Sequence, residues 1–239
     1  MPPKTSIVLC TGAWHNETHL QPSLPLLQSL NYTPIPCALA SANRQGGWDE
    51  DVKAIEASTR SELGKGNTVA LVLHSAAGPP GCEAVNRILA TRDGSEPGKI
   101  VKMVFVASFV TDEERDAVAT NMASRGYLRF GTGEDKGAIF AEKGHEAMLN
   151  DMSPEDAKPY IVALGGQVAG VKLGVTGEKW KEVSATYLLC ERDNVAPPDV
   201  QEGVAKNHVM GLRRIDASHD PFISQPEKFA RVVDEILKS

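Results

Sequence analysis

Apolar residues along the chain fall into two patterns. Short, nearly continuous runs occur at Ser6–Cys10, Thr68–Leu73, Ile100–Ala107 and Ala185–Cys190, with weaker ones at Tyr32–Ala38 and Met210–Ile215. Runs of this length, closed by Gly, Pro or polar clusters, read as buried strands. Between them the apolar positions recur at helical spacing, as at Leu20, Leu24, Leu27 and Leu30, and then Val52, Ile55 and Leu63 among charges. Pro34 and Pro36 remove ladder donors from the second run and favour an edge position for it. Strands alternating with helices predict an α/β architecture, a mostly parallel sheet with helices on both faces.

The alternation lapses between Thr111 and about Val183. No strong strand is visible there, only charged, helix-compatible pieces such as Thr111–Ser124 and Ser153–Leu164 with glycines between them. This stretch is expected to be an inserted helical cap. Alternation resumes with Ala185–Cys190, a helix opened by Pro197 and Pro198, the strand near Ile215 and a last helix over Gln225–Lys238. With no internal repeat and no low-complexity linker, residues 1–239 read as a single α/β domain carrying a cap at about 111–183.

Length and charge narrow the chemistry. A chain of 239 residues with 41% hydrophobic and 23% charged content can bury a full core without disulfides or metals. Its formal net charge of -6 disfavours nucleic acid and points to a small-molecule partner. Cys10, Cys37, Cys82 and Cys190 are dispersed and form no C-x-x-C pair, so they are expected to be reduced packing residues. Met1–Thr5 leads straight into the first strand without a long apolar segment, and no stretch approaches the roughly 20 apolar residues that span a bilayer. The expectation is a cytoplasmic protein with no membrane association; nothing in the pattern specifies an oligomeric state.

One stretch carries candidate chemistry. Thr68–Leu73 ends at His74-Ser75-Ala76-Ala77-Gly78, and a helix-compatible segment follows at once. A serine at such a strand-turn-helix junction is lifted above the sheet edge, with the next backbone N–H aimed at whatever its hydroxyl attacks. The plain alternative is a serine capping a helix. A hydroxyl becomes a useful nucleophile only with a base to take its proton and a third group to orient that base. Asp193 follows the strand ending at Cys190, and His219 follows the one ending near Ile215. Loops after the carboxyl ends of parallel strands share one rim, so Ser75, Asp193 and His219 are expected together there. Glu191 competes with Asp193 on position alone.

Two other motifs carry less. His15, Glu17 and His19 form H-x-E-x-H, which does not match the H-E-x-x-H zinc spacing, and they read as a loop at the pocket entrance. Gly94–Lys99 is too short for a phosphate loop and precedes a strand, so it reads as a turn. No metal and no cofactor are expected.

Four segments in order resemble the α/β-hydrolases, in the branch of plant methyl-salicylate esterases, hydroxynitrile lyases and fungal esterase-like members. They are Thr11-Gly-Ala-Trp-His15, Leu73-His-Ser-Ala-Ala-Gly78, Tyr187-Leu-Leu-Cys-Glu-Arg-Asp193 and Ser218-His-Asp-Pro-Phe-Ile-Ser-Gln-Pro226, with Asn150–Pro154 in the cap as a further likeness. The resemblance implies an α/β-hydrolase fold, with Ser75 as nucleophile, His219 as base and Asp193 orienting the imidazole. It places an oxyanion hole at the N–H groups of Ala13 and Ala76. Trp14 and Phe222 flank this machinery and are expected in the substrate pocket, with ordinary core packing as the alternative. The implied function is cofactor-independent hydrolysis of an ester, lactone or thioester of a small apolar molecule. A cyclase or lyase using the same triad, or a receptor built on the fold, are the rivals.

The elbow departs from the G-x-S-x-G pattern at Leu73 and Ala77, and Ala76 stands where the fungal relatives often carry tyrosine. Asp220 occupies the position at which plant hydroxynitrile lyases place a lysine, which argues against that activity.

Overall fold

The computed structural model describes residues 5–92 and 97–239. The apolar runs become the strands β1 (Thr5–Cys10), β2 (Thr33–Cys37), β3 (Thr68–His74) and β4 (Lys99–Val106). Three short strands follow, β5 (Leu128–Phe130), β6 (Ala138–Ala141) and β7 (Gln167–Val168), then β8 (Ala185–Cys190) and β9 (Gly211–Ile215). Six of them form one sheet in the order β2-β1-β3-β4-β8-β9, with every neighbouring pair parallel. The proline-bearing β2 lies at an edge, as its missing donors require.

Helices cover both faces: α1 (Leu24–Ser29), α2 (Trp48–Gly64), α3 (Gly78–Thr91), α4 (Asp112–Ser124), α5 (Gly144–Met148), α6 (Pro154–Val162), α7 (Pro198–Asn207), α8 (Pro221–Ser224) and α9 (Pro226–Lys238). Side chains along a strand alternate between faces. Ile7 and Leu9 of β1, Val104 and Val106 of β4, and Leu188 of β8 pack with Phe229, Val233 and Ile236 of α9. Val8, Leu71, Phe105 and Leu189 face the other way, onto Val52 and Ile55 of α2 and Val85 and Ile88 of α3. Burying each such side chain contributes about 1.5–3 kcal/mol. A sheet apolar on both faces therefore has one stable location, between two helical layers.

The segment between β4 and β8 differs from the helical cap expected of it. Alongside α4, α5 and α6 it holds an antiparallel sheet in the order β5-β6-β7, paired at Leu128↔Ala141 and Ala138↔Val168. Strands this short show no alternation for a sequence pattern to detect. The loop after β1 ties this segment down. Trp14 Nε1 donates to the Ile139 carbonyl at 2.8 Å, and the Gly165 N–H donates to the Trp14 carbonyl at 2.7 Å. The Asn16 amide donates to Ala163 at 2.9 Å.

All four cysteines are free and buried. Among the described residues no helix is long and apolar enough to cross a membrane. The first half of the turn expected at Gly94–Lys99, residues 94–96, lies outside the described residues.

The unusual Leu73 is accommodated by Gly81, one turn into α3. A Cβ at Gly81 would lie 2.5 Å from Leu73 Cδ2 and 3.1 Å from its Cγ. Leu73 thus fills the space that a side chain at position 81 would take, and overpacking costs about 1–3 kcal/mol. Gly81→Val is expected to lower unfolding free energy by that amount in urea denaturation, and Leu73→Ala in the same chain is expected to recover part of it.

Candidate active site

The carboxyl ends of β1, β3, β8 and β9 share one rim, because the strands are parallel and in register at Cys10↔Leu73 and Cys190↔Ile215. At the end of β3 the backbone is extended at His74 and turns to φ +50° at Ser75, before a short 3-10 turn over Ser75–Ala77 leads into α3. A non-glycine residue held in this left-handed region costs about 1–3 kcal/mol and persists where its surroundings enforce it. Here they do. The Ser108 hydroxyl donates to the Ser75 carbonyl at 2.6 Å, and the buried Tyr187 hydroxyl donates to the Ser108 carbonyl at 2.7 Å. Gly12 lets the loop after β1 approach, since a Cβ there would lie 2.7 Å from Ser75 Cβ. Gly78 is equally necessary, because a Cβ would collide with Ser108 and the Phe109 carbonyl.

His219 reaches this elbow from the loop after β9. Its ring lies 4.7 Å, centroid to centroid, from that of His74, the residue before Ser75. Its Nδ1 sits 2.7 Å from Asp193 Oδ2, so Nδ1 carries the proton and Nε2 keeps its lone pair in the neutral ring. Asp193 is held in turn by the N–H groups of Val195 at 2.7 Å and Ala196 at 3.0 Å, and by Gln201 Nε2 at 3.3 Å. Burial alone would depress the His219 pKa, but the adjacent Asp193 charge and hydrogen bond outweigh it and raise the pKa above the ordinary histidine value. Glu191, the positional competitor, is exposed and faces Arg214 instead.

A second polar cluster is buried beside this one. His74 Nδ1 accepts the Gly12 N–H at 3.2 Å, which leaves the proton on Nε2, facing the His219 carbonyl at 3.2 Å and Asp220 Oδ1 at 3.3 Å. Burial, followed by repulsion from His219, lowers the His74 pKa well below its usual value and keeps the ring neutral. His15 faces acceptors on both sides, the Ala13 carbonyl at 2.7 Å from Nδ1 and Asp220 Oδ2 at 2.9 Å from Nε2. Burial opposes ionisation of Asp220, yet the three neighbouring histidines outweigh it and hold the carboxyl far below the ordinary carboxylate range. Among the described residues His15, His74 and Asp220 are also the one group of this kind near enough to share an ion. As they stand, the nitrogens that would bind it are engaged in these hydrogen bonds and ion pairs.

Above the elbow opens a cavity of about 530 Å³. Its wall includes Ser75, Ala76, Ala13 and Trp14, and the segment between β4 and β8 supplies much of the rest through Val118, Met122 and other residues. Ala76 is the second residue of its turn, where the first N–H groups have no acceptor within the turn. Phe222, expected in the pocket, lies elsewhere. It is fully buried and packs edge-on against His74 and His15 and near Phe229, because α8 turns it inward under the His219 loop. His15 and His19 likewise are not at a pocket entrance. Both are buried, and His19 accepts the Asn16 N–H at 3.1 Å and donates to the Tyr160 carbonyl at 3.1 Å.

This sequence matches the family described as "Alpha/beta hydrolase family" over residues 7–232. The chain belongs to the alpha/beta hydrolase family. It is 27% identical to the alpha/beta hydrolase nvfD of Aspergillus novofumigatus, covering 96% of this chain and 95% of that protein. It is 23% identical to methyl jasmonate esterase 1 of Vitis vinifera, covering 97% and 96%. Among solved structures, a polyneuridine aldehyde esterase variant superposes with a TM-score of 0.80 at 15% identity, covering 97% of this chain and 98% of that one. A methylesterase from Arabidopsis gives 0.76 at 16%, covering 98% and 99%.

As an alpha/beta hydrolase the chain brings Ser75, Asp193 and His219 to one rim, in an order its sequence already displays. Sequence reasoning missed Ser108, Tyr187 and Gln201 as supports, and the association of His15 with His74 and Asp220. His74 adjoining the serine and Asp220 adjoining the histidine were the available signals, but neither specifies a partner. In a histidine-resolved NMR titration His219 is expected to titrate above pH ~6.5, and Asp193→Asn is expected to bring it below that value.

Proposed function

We propose that the chain is a cofactor-independent serine hydrolase that cleaves the ester, lactone or thioester of a small, largely apolar molecule through an acyl-enzyme. One observation carries this reading: a serine at φ +50° in the wall of an apolar cavity, and on the same rim a histidine whose Nδ1 is committed to a buried carboxylate at 2.7 Å. That commitment leaves Nε2 as the proton acceptor. Ser75 Oγ attacks the acyl carbon as its proton passes to His219, and Asp193 stabilises the imidazolium that forms. Negative charge developing on the carbonyl oxygen falls to the N–H groups of Ala76 and Ala13. Each such donor is worth on the order of 100- to 1,000-fold in rate. The imidazolium then protonates the leaving alcohol or thiol, and water activated by the same ring releases the acid.

Esterase relatives and esterase-like neighbours in structure agree with this chemistry. The apolar wall, with Trp14, Leu39, Phe109 and Met122, suits a hydrophobic acyl or alcohol portion. Ala76 leaves room beside the oxyanion donors that a ring would fill.

Ser75→Ala is expected to reduce turnover of a p-nitrophenyl ester at least about 1,000-fold, and retention of wild-type turnover would overturn the mechanism. Because the base must be neutral and its pKa is raised, kcat/KM is expected to fall as pH drops through a value above ~6.5, read from the acid limb of the profile. Ala76→Tyr is expected to lower kcat/KM for bulky acyl esters while sparing acetate esters, in a substrate series.

A further inference from the structure

The triad accounts for Ser75, Asp193 and His219, and leaves a buried His-Asp-His cluster without a role. Its contacts touch each of the three loops that the proposed chemistry needs aligned. His15 Nδ1 donates to the Ala13 carbonyl at 2.7 Å, and His74 Nδ1 accepts the Gly12 N–H at 3.2 Å. The two rings thereby grip successive residues of the loop after β1, on which the Ala13 N–H depends for its aim. His74 is also the residue before Ser75, and its Nε2 faces the His219 carbonyl at 3.2 Å. Asp220 joins the two rings, with Oδ2 at 2.9 Å from His15 and Oδ1 at 3.3 Å from His74, and it adjoins His219 in the chain. All three side chains are buried, with Phe222 packed edge-on against both rings.

We infer that Asp220, His15 and His74 form a positioning cluster that holds the oxyanion loop and the His219 loop in register with Ser75. Asp220 is the keystone residue, since each of its carboxylate oxygens meets a nitrogen of a different ring. A carboxylate between two imidazoles is costly to bury for stability alone, and hydrophobic replacement of such groups is often neutral or favourable. Its value here is geometric. Without the bridge, the Gly12–Ala13 peptide and the His219 backbone are fixed separately, and small errors in their alignment reduce the stabilisation of a tetrahedral adduct more than the binding of substrate. The bridge does not require a charge at position 220. Asparagine has the same shape, with an oxygen to face His74 Nε2 and an amide to face His15 Nε2.

This inference rests on the hydrolase reading, and the experiment separates the two. Asp220→Ala and Asp220→Asn are compared with wild type on a p-nitrophenyl ester, with a trifluoromethyl ketone as tetrahedral-adduct probe, well below each variant's Tm. Asp220→Ala is expected to lose 10- to 100-fold in kcat and a similar factor in trifluoromethyl ketone affinity, with KM within about threefold. Asp220→Asn is expected to recover most of both. Wild-type kcat in Asp220→Ala, equal losses in the two variants, or a loss confined to KM or Tm would overturn the proposal. If Asp220→Ala does not fold, His15→Asn, which removes the Ala13 and Asp220 contacts of that ring, is expected to show the same loss in kcat and probe affinity, and wild-type values would overturn it. Amide NMR gives a readout independent of turnover. Asp220→Ala or His15→Asn is expected to shift the Gly12, Ala13, Ser75 and His219 amides together, whereas shifts confined to the neighbours of the substituted residue would overturn the cluster. Absence of ester turnover in wild type would instead refute the hydrolase reading while leaving the amide test intact.

Discussion

The left-handed backbone at Ser75 is the constraint on which the site depends. A strand that ended in an ordinary turn would leave this hydroxyl along the sheet edge. At φ +50° the chain reverses so sharply that the side chain stands clear, and the following N–H groups open a helix with no acceptors of their own. The strain is met by specific neighbours. Gly12 and Gly78 supply the empty space, while Ser108 and Tyr187 hold the Ser75 carbonyl in a two-bond chain from the adjacent strands. The cost is local and the enforcement comes from across the sheet, because the loops after β1 and β4 and the strand β8 each contribute one of these contacts.

Two polar systems meet at the elbow and differ in kind. Asp193 and His219 are arranged so that one ring nitrogen is bound and the other stays available, the asymmetry that proton transfer requires. Around His15, His74 and Asp220 every ring nitrogen faces a partner. Rings whose nitrogens are all engaged hold their members in place, while Asp220 Oδ1 meets His74 as an ion-pair contact and makes no hydrogen bond of its own. The two systems touch where His74 faces the His219 carbonyl, so His219 is oriented through its side chain by one and through its backbone by the other.

The segment between β4 and β8 forms the wall of the cavity opposite the elbow, and it is tied to the loop after β1 by Trp14, Asn16 and His19. That same loop bears Ala13. The cavity wall and the Ala13 N–H therefore share one support. Phe222 belongs to the opposite side, where it seals the buried histidines from below.

The sequence by itself determined the α/β alternation, the edge position of β2, and the order of Ser75, Asp193 and His219 along the rim, because each is written in local periodicity or in a short motif. Leu73 read as a defect in the elbow, and only packing against Gly81, eight residues on, resolved it. The small sheet of β5, β6 and β7 was invisible because strands of two to four residues carry no period. The pairing of His15 with Asp220 joins residues 205 apart. Such a contact is set by the convergence of two strand ends, and a ring nitrogen carries no mark of which carboxylate it will meet. Tertiary structure therefore decided which polar residues are saturated and which remain available, and that difference separates a positioning group from a group able to exchange a proton.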